Sequence, residues 1–426
     1  MDLLSLVSDH QPTARWHDAQ TPPVVLFVAF DTRAFVSAYE SLIPRLIQAG
    51  LEVHVAASDH PGLARLELAG AQVRALAPAR PNAPWSHAAT LLTLQAYIAG
   101  LDIALAHIFA GPWSWVVAWM TRQAGAWVNV VTADDLLEGL TDASGQQSAL
   151  GRIWEGIRQT GALQQRASRV VKQVVESSVD VWLCTTMKSF ERAQGALEAS
   201  NTKIKVLSGG AGVGSRWVQT ATRLTKDQAR ANLGLGDWEV VLGAIPRTPS
   251  ASRLLLHTIE LLHARAPEAR WLIEADADIV HDARAFEALA ARGVVRFDDR
   301  KELARTSVFY RALDLFVETE LRPGPFGTIL EAVACGAPVL SAPRLGLDTL
   351  LEVPSELILS RSEHPAALAQ RIEEALGQRP ALEEQATRAA QSLHGRFRRS
   401  EAMERLMVLY DGLLTSAIEA RQQGPS

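Results

Sequence analysis

A glycine-bearing loop, Gly324-Pro325-Phe326-Gly327, leads into an apolar helical segment, Thr328 to Cys335, with one carboxylate, Glu331, in its opening turns. Backbone N–H groups at a helix start lack intrahelical partners and sit at the positive end of the helix dipole, so they suit a diphosphate. A carboxylate close behind them can accept two hydrogen bonds, as from the paired hydroxyls of a ribose. Phe326, Gly327, Thr328 and Glu331 are therefore candidate nucleotide-binding residues. The plain alternative is a helix start and a turn before a buried strand. Far upstream, His107 closes the apolar run Leu101–Ala106 and is followed by Trp113, Trp115 and Trp119. His107 is either a reactive group at a strand end or a satisfied structural histidine. Trp115 and Trp119, four apart, would share a helix face, as core packing or as a platform for a sugar.

Residues so far apart need a scaffold that brings strand ends together. Val24–Phe30 is a continuous apolar run of strand length, as expected in a parallel sheet buried on both faces. Tyr39, Leu42, Ile43, Leu46 and Ile47 then fall on one helical face, with Gly50 just past the end, and a second strand follows at Leu51–Ala57. This strand–helix–strand unit calls for a right-handed crossover. Further strands are expected at Val73–Leu76, Leu101–Ala106, Trp127–Thr132, Val179–Thr185 and Lys205–Leu207. A polar stretch through Asn232-Leu233-Gly234-Leu235-Gly236 reads as a linker. A second alternation then gives strands at Val240–Gly243, Trp271–Glu274, Val294–Phe297, Leu313–Val317, Pro338–Ser341 and Leu357–Leu359. From about Leu382 to Arg421 the pattern is helical. The expected fold class is α/β, with two doubly wound Rossmann-like domains facing each other across a cleft and C-terminal helices packing back toward the first. The domain bounds are 1–22 (an extension), 23–208, 209–395, and 396–426 (a helix crossing back and a tail). Ligands of such sheets bind outside the carboxyl ends of the strands.

Composition narrows the field. The 426 residues are 48% hydrophobic and 21% charged, with a net charge of −5, which argues against nucleic acid as a partner. Cys184 and Cys335 are the two cysteines, far apart and each in an apolar run, so neither a disulfide framework nor a metal spacing is expected; a reducing cytoplasm fits. No run reaches ~18 uninterrupted apolar residues, and the first twenty residues lack the pattern of a signal peptide. Arg152, Arg158, Arg166, Arg169 and Lys172 give the segment 146–177 either a solvated face or a peripheral contact with an anionic lipid surface at the inner face of the membrane.

The stretch Gly324 to Leu340 resembles the donor-binding motif of retaining family 4 (group 1) glycosyltransferases, which have the GT-B fold. Tyr310–Val317 resembles the strand leading into that motif, Ala231–Leu235 with Val240–Gly243 the start of the second domain, Gln48–Val55 the first crossover, and Leu105–His107 the end of the fourth strand. The likeness runs in order from about Val24 to Leu413. It implies transfer of a sugar from a nucleoside-diphosphate donor to a glycan or lipid-linked acceptor, with retention, an oxocarbenium-like transition state and no obligatory metal or other cofactor. On the resemblance, the first domain takes the acceptor and the second the donor, and Glu331 holds the ribose.

This chain also departs from the family pattern. The family's first glutamate, with seven residues between it and the second, falls on Pro323 when counted back from Glu331, with Glu318 and Glu320 nearby but out of register. The arginine and lysine that neutralise the departing diphosphate fall on Ala244 and near Pro249; Arg247 or Arg253 would supply the charge from shifted positions. Asp31-Thr32 stands where a glycine-rich turn is common, and both are good helix caps. Asp134 stands in the loop that often carries a histidine, as a contact to donor or acceptor hydroxyls or as a turn residue. These departures carry the second hypothesis, a catalytically degenerate partner subunit of a glycan-assembly complex.

Overall fold

The computed structural model describes residues 21–77, 84–109, 114–132, 177–197, 204–207, 210, 212–236, 238–274, 280, 282–298, 303–319, 327–341 and 364–423. The segment 146–177 (nearly all of it), the strand expected at Leu357–Leu359, Trp113, Asp134, Glu320, Pro323 and Phe326 lie outside the described residues, save for Ser177. The chain divides into two units, Met1–Ala211 with Ser400–Ser426, and Gly212–Arg399.

The first unit is built on a seven-stranded sheet in the order β3-β2-β1-β4-β5-β6-β7. Its strands are β1 Val24–Ala29, β2 Glu52–Ser58, β3 Gln72–Leu76, β4 Ile103–Ile108, β5 Val128–Thr132, β6 Val181–Cys184 and β7 Ile204–Val206. Every neighbouring pair is parallel, with Phe27 opposite Val55 on one side and His107 on the other. Leu26, Phe27, Val28, Leu105 and Ala106 are fully buried, as the continuous apolar runs require. The single helix expected after β1 is instead two, Thr32–Tyr39 and Ile43–Gln48. Pro44 stands in the first turn of the second; it has no N–H to give and its ring clashes with the carbonyl four residues back, so one helix cannot run through. Asp31 takes the capping role, accepting the N–H of Ala34 at 2.9 Å.

The second unit carries a five-stranded sheet in the order β10-β9-β8-β11-β12, again parallel throughout. The strands are β8 Val240–Ala244, β9 Ala269–Ile273, β10 Val295–Phe297, β11 Leu315–Val317 and β12 Val339–Leu340. The polar stretch read as a linker is a correction: it ends the helix Lys226–Leu233, which follows the helix Ser215–Arg223. Thr225 and Gln228 form a reciprocal capping box at its start, and Gly234 ends it at φ 65°. Trp217, Ala229, Leu233 and Leu235 bury their side chains in the same core as Tyr310 and Phe316, which is why this stretch folds rather than links.

The chain enters and leaves the second unit side by side. Val213 N–H donates to Phe397 O at 2.8 Å, and Arg399 N–H to Val213 O at 3.1 Å. Gly212 lies at φ 66°, and a Cβ there would stand 2.7 Å from the Phe397 carbonyl, so only glycine fits this crossing. Beyond it, the helix Arg399–Gln422 belongs with the first unit. Its Tyr410 packs against Phe27, and the Arg421 guanidinium lies 4.4 Å from the Trp127 ring.

Candidate functional site

In the second unit the strand order reverses between β8 and β11, so the crevice beyond their carboxyl ends is the switch point at which such sheets bind ligands. Because the sheet is parallel, the helices that follow these strands start at that same edge. Pro249–His263 follows β8 and is capped by Thr248, whose hydroxyl accepts the Ala251 N–H at 3.2 Å. Gly327–Ala334 follows β11, and all of it is buried except Gly327. Among the described residues, no atom outside its chain neighbours and its own helix backbone lies within 4 Å of where a Gly327 Cβ would stand. Two helix N-termini thus start at one edge of the sheet, an arrangement that favours an anion.

Thr328 and Glu331, three apart on this helix, share a face, and Glu331 is 9% exposed. The Thr328 hydroxyl donates to Glu318 Oε2 at 3.1 Å. Glu318 directly follows β11, and its backbone N–H donates to the Leu340 carbonyl at 2.9 Å. Sequence reasoning set Glu318 aside as out of register; its position just past a buried strand was the available signal. The next residue, Thr319, is 1% exposed and its hydroxyl has no hydrogen-bond partner among the described residues. Leaving such a group unpaired costs about 1–3 kcal/mol.

Arg247 sits half-buried in the turn between β8 and its helix, at the switch-point edge, and Arg253 is exposed on the helix itself. Ala244, where the resemblance put an arginine, is fully buried in β8, and Pro249, near its lysine, is the first residue of the helix; neither side chain can carry charge.

His107 does not end its strand. It lies inside β4, fully buried, with Nδ1 hydrogen-bonded to the Tyr410 hydroxyl and Nε2 to Thr132 Oγ1 at 3.2 Å. Phe109 stacks on it at 4.3 Å, and Phe27 and Tyr39 complete the surround. This burial holds its pKa down at about 3, so the ring is neutral. Both nitrogens are engaged, which is the satisfied structural histidine and corrects the picture of a group at an open edge. The tryptophans divide: Trp115 packs against the core, while Trp119 is 43% exposed.

A pocket of about 420 Å³ lies at the other end of the second sheet, lined by Lys226, Arg230, Glu239, Asp314, Arg379, Pro380 and Glu383. Asp314 precedes β11 and accepts the Val241 N–H at 2.7 Å, with Lys226 at 3.1 Å and Arg230 closing the group. This ion-pair network braces the amino ends of β8 and β11, away from the crevice. Among the described residues no cluster of three or more His, Cys, Asp or Glu could hold a metal, and no helix is long and apolar enough to cross a membrane.

The two parallel sheets and their helices have the GT-B fold, as the resemblance implied. Residues 239–378, most of the second unit, match the family model described as "Glycosyl transferases group 1". Over 213 residues the chain is 30% identical to D-inositol 3-phosphate glycosyltransferase 1 of Catenulispora acidiphila, covering 47% of this chain and 50% of that protein. The match thus spans about half the length of that relative. Sucrose-phosphate synthase of Thermosynechococcus elongatus superposes with a TM-score of 0.62 at 17% identity, over 92% of this chain and all of that one. Anabaena Alr3699/HepE, solved in complex with UDP and glucose, superposes with a TM-score of 0.61 at 18% identity, over 92% of this chain and all of the other.

Proposed function

We propose that this protein transfers a sugar, with retention, from a nucleoside-diphosphate donor to a glycan or lipid-linked acceptor. The observation that carries the reading is the carboxyl-end edge of β8 and β11, where the helices that follow the two strands start, the second of them carrying the buried pair Thr328 and Glu331. In this reading the helix starts take the diphosphate, Glu331 accepts the ribose hydroxyls, and Arg247 or Arg253 offsets the charge left on the departing nucleotide. Phe326 and Asp134 remain candidates for contact with the donor and with the reacting sugar. His107, buried and neutral, would act only by holding the end of β5 through Thr132.

The test is a calorimetric titration of wild type and Glu331→Ala with nucleoside diphosphates and their sugars. UDP and UDP-glucose come first, because the Anabaena relative was solved with UDP and with UDP-glucose. Wild type should bind one of the series, and Glu331→Ala should bind it roughly 10- to 100-fold more weakly, as for loss of hydrogen bonds to a charged group. If no nucleoside diphosphate binds, the reading is wrong.

A second reading, a partner subunit that binds donor without turnover, is favoured by the uncharged Ala244 and Pro249. Purified protein that binds the nucleotide but releases no sugar, alone or with acceptor, would establish it. Turnover by the purified chain would exclude it.

A further inference from the structure

The dipeptide Glu318-Thr319 leaves the carboxyl end of β11 with its two side chains unequally served. Glu318 is tied into the protein through Thr328 and Leu340. Thr319, equally buried, has a hydroxyl with no partner among the described residues. Valine has nearly the same shape and would fill this place without a polar atom to satisfy, so among the described residues the hydroxyl serves no contact.

Its location supplies a use. β11 runs beside β8 with Leu315 opposite Leu242 and Phe316 opposite Gly243. The same register, carried forward, brings Thr319 level with the turn Ile245–Thr248, which contains Arg247. That is the switch-point edge, between the two helix starts.

We propose that Thr319 is a ligand-binding residue of the donor site, its hydroxyl completed by a polar oxygen of a nucleoside-diphosphate sugar. This deepens the donor-site reading and rests on it. A threonine hydroxyl donates to a phosphate or sugar oxygen and accepts from a sugar hydroxyl, so either half of the donor supplies the same chemistry. Glu318 holds Thr319 in place from the neighbouring position, through the backbone pairing to Leu340 and the bond from Thr328.

The experiment compares wild type, Thr319→Val and Thr319→Ser by thermal unfolding without ligand and by calorimetry with UDP and UDP-glucose. Thr319→Val should melt at or above the wild-type temperature yet bind roughly 3- to 30-fold more weakly, while Thr319→Ser keeps the affinity. A loss seen with both ligands puts the contact on the nucleotide half; a loss confined to UDP-glucose puts it on the sugar. A valine variant that binds both ligands like wild type overturns the proposal. A lower melting temperature for that variant also overturns it, because the hydroxyl would then serve the protein. Folded wild type that binds neither ligand defeats the donor-site reading itself for uridine nucleotides, and this inference with it.

Discussion

The hydroxyl of Tyr410 is hydrogen-bonded to Nδ1 of His107, a residue 303 positions earlier in the chain. The contact stitches the helix Arg399–Gln422 to the middle of the first sheet, inside a cluster with Phe27 and Phe109. Tyr410→Phe removes one hydroxyl and leaves a buried ring nitrogen unpaired, at an expected cost of about 1–3 kcal/mol. Hydrogen exchange should show the loss of protection in β1 and β4 and not in β8 and β11. Equal loss in both sheets would mean that the helix does not belong to the first unit alone.

His107 also gives the stability a pH dependence. Its pKa falls from 6.5 in the unfolded chain to about 3 in the fold, so between those values the unfolded chain binds the extra proton. The contribution is complete above pH 6.5 and is lost as the pH falls toward 3, with a slope approaching about 1.4 kcal/mol per pH unit. Urea unfolding between pH 7 and pH 4 measures it. His107→Gln should be less stable at pH 7 and should fall less steeply; an unchanged slope would remove His107 as the cause.

Gly243 faces Leu313 so closely that an added Cβ would lie 2.2 Å from Leu313 Cδ1. Leu313 is 1% exposed and has little room to move, so Gly243→Ala should cost about 1–3 kcal/mol by overpacking. Adding Leu313→Val should return part of that loss in a double-mutant comparison. Additive losses would show that the two side chains do not meet.

Asp314 serves the scaffold rather than the crevice. Asp314→Ala strips the partner from Lys226, Arg230 and the Val241 N–H, and should cost roughly 3 kcal/mol. Nucleotide affinity of the variant that remains folded should stay within about twofold of wild type, since one lost hydrogen bond at the site would exceed that. A larger loss of affinity would connect the amino-end network to the binding edge.

The two arginines proposed for the diphosphate differ in place. Arg247 lies in the turn at the switch-point edge and Arg253 on the exposed part of the following helix. Arg247→Ala should weaken UDP binding by roughly tenfold or more, and Arg253→Ala by less, because a solvated charge is better screened. Titration at two salt concentrations checks both, and the reverse order would move the charge role to Arg253.

By itself the sequence determined the class of fold and where the two sheets begin. Val24–Ala29 and Val240–Ala244 are apolar on both faces, which only a sheet covered on both sides can bury, and the short crossovers force it to be parallel. The helix start at Gly327, with Glu331 one turn in, was legible for the same reason: caps, glycines and periodicity are local signals. Other features were written locally and missed, such as the Thr225–Gln228 capping box that starts the helix running into the stretch read as a linker, and the proline that splits the helix after β1. What only the tertiary structure decided is which polar groups are already satisfied. His107 loses its open edge to Tyr410 from the far end of the chain, Glu318 gains Thr328, and Thr319 is left with a buried hydroxyl that has no partner among the described residues. Burial and partnership depend on contacts between distant segments, and no periodicity in a single stretch encodes them.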